Sequence, residues 1–188
     1  MKRLLIISTA LMAVSATPAL AQDSGFEGHV GVSIYDTNEF IGAQARLGYM
    51  HDIGGFMIGV EGEAGTAFSD TSETVSDPVI GNVDVDLGLD SNIGIYGVAR
   101  TNRRSKFGLI GRVGYHSTTF GADLANEAIG VISADLKTDG FAGGIGIDYA
   151  FGNDRKNVIR LDATYLDLGD LDIDDGLTVL ALSYGHRF

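Results

Sequence analysis

The chain has 188 residues, 45% of them hydrophobic and 20% charged, and 13 Lys and Arg stand against 25 Asp and Glu for a formal charge of −12. An acidic balance of that size argues against nucleic acid as a partner, and the lack of cysteine excludes disulfide staples and thiolate metal sites. Glycine, at 27 residues, is about twice its usual share of roughly 7%, and with only two prolines and no collagen-type repeat it serves tight packing and turns.

Met1-Lys2-Arg3 is a basic start, residues 4–14 form an apolar run broken only by Ser8 and Thr9, and Ala19-Leu20-Ala21 is a small-x-small cleavage site. Together these are the parts of a secretory signal peptide at 1–21, cut before Gln22. Its removal leaves 167 residues (188 − 21) and, with Lys2 and Arg3 gone, a formal charge of −14. The remainder, 22–188, is of single-domain size. No later apolar run reaches the about 20 residues a membrane-crossing helix needs. If the chain enters a membrane it does so as a closed barrel, the other structure that pairs every backbone group within hydrocarbon.

Eight segments of period-two alternation follow. Segment 26–35 sets Val30, Val32 and Ile34 against His29, Gly31, Ser33 and Tyr35, and segment 40–51 sets Ile41, Leu47 and Tyr49 against Gln44, Arg46 and Gly48. A turn at 52–55 carries Gly54-Gly55. Segment 56–68 opposes Phe56, Ile58 and Val60 to Met57, Glu61 and Glu63. The stretch 69–86 is acidic, contains Pro78 and reads as a surface loop, with Val83 and Val85 able to extend the next strand. Segment 87–100 places Leu87, Leu89, Ile93 and Ile95 opposite Asp90, Asn92, Tyr96 and Arg100, and a basic turn at 101–106 closes it. Segment 107–119 opposes Leu109, Val113 and Tyr115 to Arg112, Gly114 and His116, and a second long loop runs over 120–139. Segment 140–151 opposes Phe141, Ile145, Ile147 and Tyr149 to Gly144, Gly146 and Asp148, and the next turn, 152–157, is short and basic. Segment 158–167 carries Ile159, Leu161 and Tyr165 against Arg160, Asp162 and Thr164, and an acidic loop at 168–176 leads to the last segment. There Leu180, Leu182, Tyr184, His186 and Phe188 share one face, and Val179, Ala181, Ser183, Gly185 and Arg187 the other.

Connections are short after segments two, four and six and longer mainly after three, five and seven, as expected of a transmembrane barrel with short periplasmic turns and long external loops. The fold expected is all-β: an eight-stranded antiparallel up-and-down transmembrane barrel. Tyr and Phe gather at segment ends in the manner of an aromatic girdle. Eight staves enclose a lumen just wide enough for side chains to fill. The inward Arg46, Arg112 and Arg160 are therefore expected to pair with Glu61, Glu63, Asp148 and Asp162, as their burial would require.

An aromatic last residue with Tyr184, Leu182 and Leu180 behind it at spacing two resembles the terminal strand of bacterial outer-membrane β-barrels, which in that family is read by the insertion machinery. With the signal peptide and alternating loops, the whole mature chain resembles the small outer-membrane barrels: the transmembrane domain of outer-membrane protein A and the opacity-type surface proteins. The resemblance implies the outer membrane as location, its lipid and lipopolysaccharide as surroundings, and a structural or surface-interaction role with an unidentified ligand at the acidic external loops. The peptidoglycan-binding domain often found in the first of these families is not expected after Phe188. A small-solute porin-like channel and a soluble periplasmic ligand-binding barrel are the alternatives.

No enzyme, cofactor or metal is expected. His116 and Ser117 fall on opposite faces and make no nucleophile–base pair; the His and Ser of outer-membrane lipid deacylases are not matched in motif. His29, His51 and His186 have no ligand spacing. Residues 170–176 begin like a calcium loop, but Gly176 arrives one residue late and Ala181 stands where a bidentate Glu belongs. They read as a solvated acidic loop, of a kind that would offer divalent cations a bridge to lipopolysaccharide phosphates.

Overall fold

The computed structural model describes residues 24–35, 40–77, 81–101, 106–126, 130–169 and 176–188; the expected signal peptide at 1–21 and residues 170–175 of the calcium-like loop lie outside the described residues. Its strands are β1 (Gly25–Tyr35), β2 (Phe40–Asp52), β3 (Phe56–Ala67), β4 (Asp70–Asp77), β5 (Gly81–Thr101), β6 (Phe107–Asn126), β7 (Gly130–Phe151), β8 (Asn157–Leu166) and β9 (Leu177–Arg187). Neighbours pair antiparallel, and β9 with β1 and β3 with β5 close the sheet on itself. β3 and β4 form one stave interrupted at Phe68-Ser69: β3 pairs with the lower half of β5, β4 with its upper half (Asp70 opposite Gly88). The ring therefore has eight staves.

The register fixes the shape. From Gly25 the paired residues lead through Met50, Gly59, Val98, Arg112, Gly144, Thr164 and Val179 back to β1 at Tyr35, ten residues along (35 − 25). Such a stagger requires strands tilted by about 35–45°.

Hydropathy is reversed relative to a soluble barrel. Val113 and Ile145 are 67% and 74% exposed on the outside, whereas Arg46 and Arg112 are 4% and 6% exposed inside. An outer face of Val, Ile and Leu suits lipid. Aromatic pairs mark both edges of this band: Phe26–Tyr49 and Phe107–Tyr149 near the short turns, with ring centroids 5.1 and 5.0 Å apart, and Tyr115–Phe141 at 5.8 Å toward the other end. The short turn after β2 is held by Gly54 at φ 97°, whose N–H donates to Asp52 Oδ1 at 2.7 Å.

Glycine's abundance finds its reason on the inner face, where large side chains lie opposite glycines of the next stave. Tyr96 faces Gly114, Glu63 faces Gly94, Arg112 faces Gly144, Asp148 faces Gly108 and Asp162 faces Gly146. At Gly114 a Cβ would stand 2.8 Å from both Cα and Cδ1 of Tyr96, too close for any side chain without repacking. The missing side chains are the space in which the lumen's polar groups lie.

Two stretches read as loops are strands. Within 69–86, Asp70–Asp77 is β4 and β5 begins at Gly81; within 120–139, β6 runs on to Asn126 and β7 begins at Gly130, the two reaching 20 and 22 residues. Acidity and Pro78 hid their alternation in the sequence. Cross-strand pairs such as Leu124–Ile132 and Phe120–Leu136, with side-chain hydrogen bonds from Ser72 to Asp86 and from Thr74 to Asp84, hold them as a four-stranded sheet above the barrel wall. Leu89 also departs from expectation. A bulge between Leu89 and Ser91 shifts the pairing of β5 with β6, so Leu89 turns inward and is 2% exposed rather than facing out beside Ile93.

Candidate functional site

Inside the barrel the charged side chains form one alternating series. Asp162 takes two hydrogen bonds from Arg46 at 2.7 and 2.8 Å; Arg46 Nε donates to Glu63 at 2.7 Å; Glu63 also receives Arg112 at 2.8 Å. Arg112 then donates to Glu61 at 3.0 Å, Arg160 donates to Glu61 at 2.7 Å and to Glu27 at 2.9 Å, and Arg100 donates to Glu27 at 2.8 Å. Asp148 ends the series between Arg100 at 3.3 Å and Arg187 at 3.0 Å. Among the described residues five arginines meet five carboxylates, none more than 6% exposed. A buried charge is tolerated only when paired and hydrogen-bonded, and each member here has at least one partner of opposite sign. Arg112 lies over the Tyr96 ring, 4.1 Å from its centroid, and donates through Nε to Thr164 at 3.0 Å.

The structure brings Arg46, Glu61, Glu63, Arg112, Arg160 and Asp162 together directly. It connects Asp148 to them through Arg100 and Glu27, which the sequence reading did not select, and adds Arg187. All three lie near strand ends, and Arg100, though on the polar face of its segment, borders a basic turn. Parity was the available signal: Glu27 shares the face of His29, Arg100 that of Tyr96, and Arg187 that of Ser183.

Toward the long-strand end the polar path continues through Asn92, which donates to Glu63 at 3.4 Å, and Thr118, which donates to Asn92 at 3.0 Å. His116 is held inside by Thr118 Oγ1 and the Asp167 carbonyl, both at 2.9 Å, with half-buried Ser117 on the opposite face. His29 lies 3.6 Å from Glu27; His51 and His186 contact Ser24 and Asn157 near the short turns. On the terminal strand Leu180, Leu182 and Tyr184 face outward at about half exposure, and the Phe188 N–H donates to the Phe26 carbonyl at 2.9 Å.

Above the charges the lumen becomes apolar. Tyr35, Phe40, Leu89, Leu166, Leu168 and Leu177 are buried there, with Phe120 packed against them. Beyond this floor the faces of the sheet exchange character. Continuing the inward parity of His116 and Thr118 leads on β6 to Phe120, Ala122 and Leu124, and that of Thr138 leads on β7 to Leu136, Ala134 and Ile132. The bulge brings Val85 and Leu89 of β5 onto the same side, opposite Leu124 and Phe120. The outward side carries Asp84, Asp86, Asp123 and Asp135, with Asp86 directly opposite Asp123. Outside-apolar and inside-charged in the barrel thus becomes outside-acidic and inside-apolar over the β5–β7 part of the projecting sheet.

A family model described as the outer membrane protein beta-barrel domain matches residues 6–188. The chain belongs to this outer-membrane β-barrel family. Among solved structures it is similar to a major outer membrane protein of Thermus thermophilus, at 13% identity and TM-score 0.60, over 88% of this chain and 99% of that one. It is also similar to Ail, the attachment invasion locus protein of Yersinia pestis, at 19% identity and TM-score 0.50, over 88% of this chain and 98% of that one. At those identities the likeness is one of fold. Among curated proteins none matches the sequence.

An outer-membrane barrel keeps its short turns in the periplasm, which places the turns at 53–55 and 152–156, and Phe188 beside them, on that side and the projecting sheet outside the cell. The soluble periplasmic alternative falls with the apolar outer face and the family. A depression of about 590 Å³ lies in the wall of β9, β1, β2, β3 and β5, where Gly28, Ala45, Gly62 and Ala64 leave room between Val30, Leu47, Ile93 and Tyr184.

Proposed function

We propose that this outer-membrane barrel is a solid anchor for an external binding surface, not a conduit. The observation that carries the reading is the unbroken ion-pair series across the lumen beneath an apolar floor: a solute would have to part buried charges and leave each without its partner, at several kcal/mol apiece. The projecting sheet, with exposed apolar side chains at one face, is the surface left for interaction. The Ail structure contains the heparin analogue sucrose octasulfate. A polyanion of that kind would meet Asp84, Asp86, Asp123 and Asp135 here, so a sulfated ligand is not carried over.

Proteoliposomes loaded with the refolded mature chain, with insertion established by a heat-dependent gel shift, are expected to pass small sugars no faster than empty liposomes. Flux clearly above that background would overturn the solid-anchor reading and make Arg46, Arg112 and Arg160 selectivity residues of a channel.

The same reading takes residues 1–21 as an export leader and Leu180, Leu182, Tyr184 and Phe188 as the strand presented to the insertion machinery. Cell fractionation tests both. The outer-membrane form is expected to begin at Gln22, and a chain lacking Phe188 to accumulate outside the membrane while still refolding in detergent. Equal membrane assembly of the two chains would remove the role given to Phe188.

A further inference from the structure

We propose that the inward face of the projecting sheet docks a cationic amphipathic peptide segment from the external medium, which deepens the binding-surface reading and rests on it. Three observations combine. First, Leu124, Ile132 and Leu136 are 38%, 51% and 48% exposed on one continuous face with Phe120, and an apolar strip standing in water marks a place where something binds. Secondly, that strip joins the apolar floor of the mouth through Phe120 and Leu89, giving a corner with a wall and a base. An amphipathic segment laid in such a corner buries its apolar side on two surfaces. Thirdly, among the described residues this end of the molecule carries Asp84, Asp86, Asp123, Asp135, Asp139 and Asp167 against Lys137, itself 3.7 Å from Asp139. That field attracts cations and repels anionic partners.

A second copy does not fit. Each sheet rises from its own barrel wall with the apolar side over its own lumen, so a neighbour in the same membrane presents its acidic outer side or its lipid-facing wall. The bulge at Leu89 is the device that builds the face, since without it Val85 and Leu89 would point to the lipid side.

The test uses the mature chain in zwitterionic nanodiscs and a fluorescent amphipathic peptide of leucine and lysine, with empty nanodiscs as blank. The cationic peptide is expected to bind the loaded discs in excess of the blank and to be weakened by salt. Ile132→Asp and Leu136→Asp, on exposed positions, are expected to weaken binding at least about tenfold, although each adds a negative charge. Were attraction purely electrostatic, those variants would bind more tightly, and that result would overturn the proposal. So would equal binding of a leucine–glutamate peptide, or of an uncharged alkyl ligand at the same face. The gel shift of each variant establishes that its barrel is intact. Absence of peptide binding with absence of sugar flux would remove this inference and leave the solid anchor standing, whereas flux would strike the anchor itself.

Discussion

Glu61→Gln is expected to lower the stability of the inserted barrel by about 3–5 kcal/mol, the range for removing one partner of a buried ion pair. Glu61 is the middle link of the series: its carboxylate accepts from Arg112 at 3.0 Å and Arg160 at 2.7 Å, with Arg46 Nε at 4.0 Å, and its side chain is 3% exposed. Glutamine keeps the shape but leaves five arginines facing four carboxylates. Asp162→Asn, which removes an end link engaged by Arg46, is expected to cost less. Urea titrations of the two variants in lipid vesicles, followed by the heat-dependent gel shift, measure both. A Glu61→Gln barrel as stable as the parent would mean that water already reaches these charges, and the solid-lumen reading would go with it.

Ile145→Arg is expected to cost about 2–4 kcal/mol in a bilayer, the penalty for an arginine on the lipid face near the midplane. Ile145 sits on the outside of β7 at 74% exposure, beyond the Tyr115–Phe141 pair on the side of the short turns. The same substitution at Ile132, on the same strand but in the projecting sheet, is expected to shift stability by no more than about 0.5 kcal/mol, as for an ordinary surface site. Comparing the two in vesicles tests whether the barrel wall at Ile145 faces lipid while Ile132, on the inward face of the projecting sheet, stands in water. Equal costs would mean that Ile132 does not stand in water or that Ile145 does not face lipid.

The barrel itself was legible because two forces act on each stave at once: lipid outside selects Val30, Val32 and Ile34, while a crowded polar lumen selects His29, Gly31 and Ser33. Period two carries that division without any long-range information. The projecting sheet was not legible because one of its environments is water and its acidic residues resemble a loop's. The bulge was beyond reach for a different reason: Leu89 alternates correctly with Ile93 and Ile95 in sequence, and only the partner strand reveals the extra residue. Arg46, Glu61 and Glu63 were found as charges inside apolar alternation. Glu27, Arg100 and Arg187 escaped because strand ends are where charge is ordinary, and only their cross-lumen partners distinguish them.

The ion pairs also have a mechanical side. Arg160 on β8 grips Glu61 on β3, four staves away in either direction round the ring, and Arg46 on β2 reaches Asp162 on β8, three staves off. These contacts act as spokes across a wheel. A hollow tube of tilted strands flattens easily into an oval because backbone ladders resist stretching but not bending; spokes along a diameter oppose that flattening. Lateral pressure in the bilayer would then be met by a cylinder of constant girth, and the sheet projecting from β5–β7 would stand on a foundation that transmits little of the membrane's motion to it.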